Sequence, residues 1–296
     1  MNSFIYYFSK MVQRKADPIL NSITPVIRDD IDAELNLEYS GDDGNTLKVD
    51  VYRGKRHAES GAKLPVIIMV HGGGLYTGNQ TIEYNLCQLL AIRGFLVFSI
   101  SYRLMTDATL MQEIADVAAG FRYVDKHLDN FNGDRNRVNL VAESAGAYLS
   151  IYTIAIHRSQ TLWEKINCRT STLDVKRMAC FSGMYYTEKL DLIGVLYPQQ
   201  IFKDMRKDKD FMKMMNPEHP EIINILPPMH LTSSDADFLG KYTLSFADAL
   251  KKAGKKCKVM FYRGNKELTH AFHAQKCFLP ESIEVIDDVT RFFQED

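Results

Sequence analysis

Two hydrophobic rhythms divide the chain. Over residues 35–39 and 47–52 apolar and polar side chains alternate, and the polar run Ser40-Gly41-Asp42-Asp43-Gly44-Asn45 separates the two segments. That pattern predicts an antiparallel hairpin with one wet face. From residue 64 onward alternation gives way to short continuous apolar runs at 64–70, 95–100, 138–141, 178–181 and 258–262, and Leu226-Pro227-Pro228 opens a further strand. Runs of this kind predict strands covered on both faces. Segments of helical period lie between them at 82–93, 110–127, 145–157, 242–253 and 280–293. Strand and helix in regular alternation predict an α/β fold, a mostly parallel sheet with helices on both sides.

Two stretches fall outside that rhythm. Residues 1–30 precede the first strand, and residues 183–226 intervene where a strand and a helix should follow closely. The second stretch holds Tyr185, Tyr186, Tyr197, Phe202, Met205, Phe211, Met212, Met214 and Met215, a soft apolar set that needs a surface to cover. Ligands of open α/β sheets bind at the carboxyl ends of the strands, and both stretches are read as a small cap over that edge. The expectation is one domain over residues 1–296, with cap elements at 1–30 and 183–226.

Composition narrows the function classes. At 296 residues and 46% hydrophobic the chain has material for a large core. Thirty-six basic residues nearly balance 37 acidic ones, so no global field favours nucleic acid or an acidic membrane. The basic stretch 203–213 is broken by acids and reads as a solvated helix face. Cys87, Cys168, Cys180, Cys257 and Cys277 are scattered, with no Cys-x-x-Cys pair, which predicts buried free thiols and implies neither a metal site nor a disulfide framework. No run approaches the roughly 18 apolar residues of a membrane span. Residues 4–8 are too short for a signal-peptide core, so the expectation is a cytoplasmic protein. The aromatic stretch 4–8, with Lys10 and Arg14 behind it, is read as a helix packed on its own protein; a helix lying on a membrane surface is the alternative.

The chemistry lies in two motifs. His71-Gly72-Gly73-Gly74 follows the apolar run 64–70, and Ala142-Glu143-Ser144-Ala145-Gly146 follows the run 138–141. A glycine triplet after a buried strand leaves backbone N–H groups uncovered, as a developing oxyanion requires, and the second motif sets a serine on a tight strand-to-helix turn. Either alone is weak, because glycine-rich stretches also make plain turns and phosphate cradles. Their order and strand context together point to a serine hydrolase.

At these residues the chain resembles the hormone-sensitive-lipase-like group of α/β-hydrolase esterases, in which His-Gly-Gly-Gly precedes a Gly-Asp-Ser-Ala-Gly elbow. Phe98-Ser99-Ile100-Ser101-Tyr102-Arg103-Leu104 is similar to the group's Val-Asp-Tyr-Arg-Leu segment. Asn132-Gly133-Asp134-Arg135-Asn136-Arg137 is similar to its Gly-Gly-Asp-Pro-x-Arg turn. The likeness covers most of residues 60–160 and returns near the C-terminus. It implies an α/β-hydrolase fold with Ser144 as nucleophile and the order serine, acid, histidine. Counted from Pro228, the group's acid position falls on Asp237, followed by Phe238 and Leu239 where the group has Pro-Leu; Asp235 is the competing acid. Thr269-His270-Ala271-Phe272-His273 is similar to the group's His-Gly-Phe and makes His270 the base, with His273 as competitor. The implied oxyanion donors are the N–H groups of Gly73, Gly74 and Ala145. His71 is read as a structural residue bonded to its loop, Tyr102 and Arg103 as anchors of that loop, and Glu143 as facing a polar neighbour outside the reaction.

Three departures stand out. Ala142 replaces the first elbow glycine, Ala147 replaces the glycine after the elbow, and Met105-Thr106-Asp107-Ala108-Thr109-Leu110 replaces an Ala-Pro-Glu-His-Pro-Phe-Pro stretch, so the acyl or alcohol pocket is expected to differ. The resemblance implies a serine carboxylic-ester hydrolase working through an acyl-enzyme, with no cofactor or metal, a small-molecule ester as partner, and a homodimer left open; the short Met- and Tyr-rich cap, with no long apolar lid helix, predicts small or short-acyl esters. An arylformamidase-like amidase would use the same machinery. A ligand-binding protein on a hydrolase scaffold is the reading from another class, and His270 speaks against it.

Overall fold

A computed structural model of the chain describes residues 23–105, 107–189 and 201–295. Eight strands form one sheet: β1 (Ile31–Ser40), β2 (Thr46–Gly54), β3 (Leu64–Val70), β4 (Leu96–Ile100), β5 (Gly133–Glu143), β6 (Val175–Phe181), β7 (Met229–Ser234) and β8 (Cys257–Tyr262). Their order is β1-β2-β4-β3-β5-β6-β7-β8. β1 and β2 are the antiparallel hairpin, β2 meets β4 antiparallel, and every later pair is parallel.

The continuous apolar strands owe their composition to burial on both faces. In β3, Val66, Ile68 and Val70 enter one hydrophobic core, while Ile67 and Met69 enter a second on the opposite face. The larger core is closed by the helices Leu110–His127, Ala145–Arg158 and Gly240–Lys252, and the smaller by Tyr84–Ala91 and Pro280–Gln294. The helix Leu110–His127 starts at a capping box: Gln112 N–H donates to the Thr109 hydroxyl at 3.3 Å and Thr109 N–H donates to the Gln112 side chain at 2.9 Å. β8 departs from expectation. Its run 258–262 predicts a strand covered on both faces, yet no residue of β8 is buried, because it is the last strand of the sheet and has a neighbour on one side only.

Of the two expected cap stretches, residues 1–22 and 190–200, Tyr197 among them, lie outside the described residues, as does Thr106. The rest of the insertion folds onto the helix Ala145–Arg158. Tyr185, Tyr186, Phe202, Phe211, Met214 and Met215 are buried in the larger core. Tyr148 and Tyr152 of the helix Ala145–Arg158 donate hydroxyl hydrogen bonds to the carbonyls of Met215 and Met214, at 3.2 and 3.3 Å. The charged stretch 203–213 is solvated on its outer side, with exposed ion pairs Lys207–Asp204 and Lys213–Asp210, while Phe211 turns inward.

Candidate active site

β5 hands over to the helix Ala145–Arg158 at Ser144, whose φ of 46° and ψ of −116° are strained for an L residue. Hydrogen bonds hold the strain in place: Ser144 N–H donates to the Phe181 carbonyl at 2.9 Å, and the Ser144 carbonyl accepts from Met184 N–H at 2.9 Å. Gly146 is required here. A Cβ at that position would lie 2.3 Å from the Val70 carbonyl oxygen and 2.5 Å from that of His71, so the first helical turn rides directly over the end of β3. The methyl of Ala142 is accommodated in the sheet, fully buried between its register partners Val70 and Cys180.

Loops at the carboxyl ends of their strands bring the remaining groups to Ser144. Asp237 follows β7, and His270 follows β8. The His270 Nε2 lies 2.9 Å from Ser144 Oγ, and its Nδ1 lies 2.8 Å from Asp237 Oδ1. Asp237 is held in turn by the Ser233 hydroxyl, which donates to Oδ2 at 2.6 Å, and by Leu239 N–H, which donates to Oδ1 at 2.9 Å. Burial works to raise the Asp237 pKa, but the His270 hydrogen bond and charge, with the two local donors, outweigh it and bring it down to about 2. For His270 burial works to lower the pKa, and the Asp237 hydrogen bond and the Glu143 charge reverse it, leaving the imidazole above its ordinary value of 6.5.

The competing residues stand apart. Asp235 accepts from Gly264 N–H at 2.9 Å, bracing the loop after β8. His273 is fully buried, its ring stacked between Phe181 and Phe272 at 4.7 and 3.8 Å, and desolvation drives its pKa down to about 3.

The glycine loop after β3 packs against the elbow. Gly73, Gly74 and Leu75 all have positive φ, at 104°, 63° and 71°. A Cβ on Gly72 would lie 1.8 Å from Glu143 Oε2, and one on Gly73 would lie 1.9 Å from the Thr77 carbonyl oxygen. His71 donates Nδ1–H to the Gly72 carbonyl at 2.8 Å and stacks on Tyr102 at 4.1 Å. The Tyr102 hydroxyl reaches the carbonyls of His71 and Gly72, both at 3.0 Å. Burial keeps His71 neutral, with a pKa of about 4. Arg103 makes a two-pronged contact with buried Asp116 at 2.7 and 2.9 Å and fixes the segment behind the loop.

Two residues at the site carry no motif. Phe238 is 70% exposed, and its ring centre lies 4.4 Å from that of His270, a bare aromatic surface beside the imidazole. The signal for it was the phenylalanine standing where the resembled group has proline. Glu83, ahead of the helix Tyr84–Ala91, is buried against Glu143. Nothing in its local sequence marks it, since its partner lies far along the chain.

The sheet order, the strained serine at the strand-to-helix turn and the loops gathered at the carboxyl edge define an α/β-hydrolase fold. Esterases are among the solved structures it resembles. Esterase B of Lactobacillus rhamnosis superimposes with a TM-score of 0.84 at 22% identity, covering 99% of this chain and 96% of its own. Brefeldin A esterase, a bacterial homologue of human hormone-sensitive lipase, superimposes with a TM-score of 0.70 at 19% identity, covering 98% and 85%. The chain belongs to the BD-FAE family, whose model matches residues 49–242. In sequence it is similar to a probable isoprenylcysteine alpha-carbonyl methylesterase of Arabidopsis thaliana, 26% identical over 73% of this chain and 47% of that protein. It is also similar to an esterase of Mycobacterium tuberculosis, 24% identical over 75% and 70%. The chain spans about half the length of the plant relatives it matches. Among the described residues no helix is long and apolar enough to cross a membrane.

Proposed function

We propose that the chain is a serine carboxylesterase for small, short-acyl esters. The observation that carries this reading is the unbroken hydrogen-bond chain from Asp237 through His270 to Ser144. In the proposed reaction Ser144 Oγ attacks the ester carbonyl as its proton passes to His270 Nε2. Asp237 holds the ring and balances the imidazolium. The N–H groups of Gly73, Gly74 and Ala145 receive the oxyanion. The alcohol leaves with the proton from His270, and water, activated by the same ring, releases the acid and frees Ser144.

Support for ester substrates comes from relatives and structural neighbours that bear esterase names. Esterase B was solved with a tributyrin phosphonate, a short-acyl ester mimic, which favours short chains here. Five free cysteines fit a reducing, cytoplasmic setting. A series of p-nitrophenyl esters tests the substrate class. Each methylene gains about 0.8 kcal/mol only while it is buried, so kcat/KM should peak at acetate or butyrate. A preference for palmitate would overturn the short-acyl reading.

A further inference from the structure

The proposed reaction leaves one buried acid pair unused. Glu143 and Glu83 are 5% and 3% exposed. Neither oxygen of Glu83, nor Oε1 of Glu143, has a well-aligned hydrogen bond among the described residues, and the backbone N–H that faces both carboxyls is that of Gly72. The two carboxyls instead hydrogen-bond to each other. Two carboxylates in contact and out of water cannot both ionise, so a proton must bridge them. Burial raises both pKa values, Glu143 to about 7 and Glu83 well above the carboxylate range, so Glu83 keeps its proton to higher pH and Glu143 takes on the charge as pH rises through about 7.

The groups facing the pair are few. Glu143 Oε1 lies 3.6 Å from His270 Nε2, the nitrogen that faces Ser144, and feels Asp237 beyond it. The Gly72 backbone N–H donates toward both carboxyls and favours their charged forms, and Glu143 Oε2 fills the space a Cβ on Gly72 would take. Cys87, one turn along the helix from Glu83, is a buried neutral thiol whose own ionisation Glu83 opposes.

We propose that Glu83 and Glu143 share one proton and act as a positioning pair, seating Gly72 and with it the oxyanion loop, and setting the negative charge that His270 feels. The proposal rests on the triad reading for its kinetic consequence, and for the shared proton on the burial of both carboxyls, their mutual contact and their shortage of other donors. It explains why a glutamate stands beside the nucleophile. The Glu143 charge favours the imidazolium formed when Ser144 attacks, and the bridging proton keeps that charge single.

Two isosteric variants test it. In Glu83→Gln the amide N–H replaces the bridging O–H and Glu143 keeps its charge. In Glu143→Gln the charge beside His270 is gone. On p-nitrophenyl acetate the acid limb of kcat/KM should move to lower pH in Glu143→Gln, and should not do so in Glu83→Gln. Acid limbs that coincide with wild type in both variants would leave the pair a purely structural role and overturn the proposal.

A second readout needs no catalysis. Carboxyls with raised folded-state pKa values hold protons that the unfolded chain has already lost, so stability falls as pH rises from the ordinary glutamate value through about 7. Glu83→Gln removes the Glu83 share of that penalty, which grows as pH rises above the ordinary glutamate value. Its Tm should gain on wild type progressively between pH 5 and 8, and a Tm difference that stays constant over that range would refute the shared proton. If wild type hydrolyses no ester, the proposed function fails, and the Tm series still decides the pair.

Discussion

His270 Nε2 stands 2.9 Å from Ser144 Oγ although 126 residues separate the two in the chain. The sheet order creates this contact, since β5 lies near the middle of the sheet and the loop after β8 reaches back across the carboxyl edge. The return is pinned at Ala271, whose N–H donates to the Ser182 hydroxyl at 3.0 Å just beyond β6.

Replacing the two histidines separates chemistry from packing. His270→Ala should lower kcat on the order of a thousandfold or more in a chain that still folds, although Asp237 loses its partner. His273→Ala should do the reverse. Removing a fully buried ring from between Phe181 and Phe272 should cost about 2–4 kcal/mol of stability while the folded fraction keeps its kcat. A dead His273→Ala beside an active His270→Ala, by initial rates and thermal melts, would contradict the assignment.

The acids should divide in the same way. Asp237→Asn removes the charge that balances the imidazolium and should cost kcat by about four orders of magnitude. Asp235→Asn only alters a loop contact to Gly264 and should remain within a few-fold of wild type. Initial rates of the two variants on one p-nitrophenyl ester decide between the acids.

The pH profile follows from His270. The base must be neutral to accept the Ser144 proton, so kcat/KM falls as pH drops through the His270 pKa, which lies above 6.5. Asp237, brought down to about 2, stays ionised throughout. Its contribution to stability is present above the ordinary aspartate value and is lost only as pH falls toward 2, whereas that of His270 is present at low pH and lost as pH rises through its raised pKa. Activity should therefore vanish reversibly on acidification well before the fold does. An acid limb at or below the ordinary imidazole value would contradict this.

Phe238 offers a test of selectivity. Because its side chain is largely exposed, Phe238→Ala should move Tm little, yet it removes the aromatic face beside the base. The ratio of kcat/KM between aryl and small alkyl esters should fall by about tenfold, the scale of a modest apolar contact. Unchanged ratios would remove Phe238 from the pocket.

The insertion should behave as core where it is described. Tyr185 is fully buried and stacks on Phe246 at 4.5 Å, and Met215 is 1% exposed. Alanine at either position should cost about 2–5 kcal/mol and leave relative rates across esters unchanged. Altered ester ratios with an unmoved Tm would instead give this part of the insertion a direct hold on substrate.

Much of the architecture was legible because its signals are local. Alternation marked the hairpin, continuous apolar runs marked the parallel strands, and the glycine loop and elbow are contiguous motifs whose backbone demands, such as Gly146 against Val70, dictate residue type. Asp237 and His270 came from spacing within the resembled group. What stayed hidden depends on contacts between distant segments. The short helix Gln160–Ile166 has too few turns to show a period. The exposed faces of β8 follow from its edge position, which no residue in it records. Glu83 takes its meaning from Glu143, and the burial of Tyr185 and Met215 from a helix that closes over them.

The central claim is that Ser144 is an activated nucleophile. Fluorophosphonate labelling of wild type, followed by mass spectrometry of the modified peptide, tests it most directly. Labelling should fall on Ser144 with one adduct per chain, should abolish ester hydrolysis in proportion, and should be lost in Ser144→Ala at an unchanged Tm. Stoichiometric labelling at another residue, or wild-type hydrolysis by Ser144→Ala, would contradict the claim.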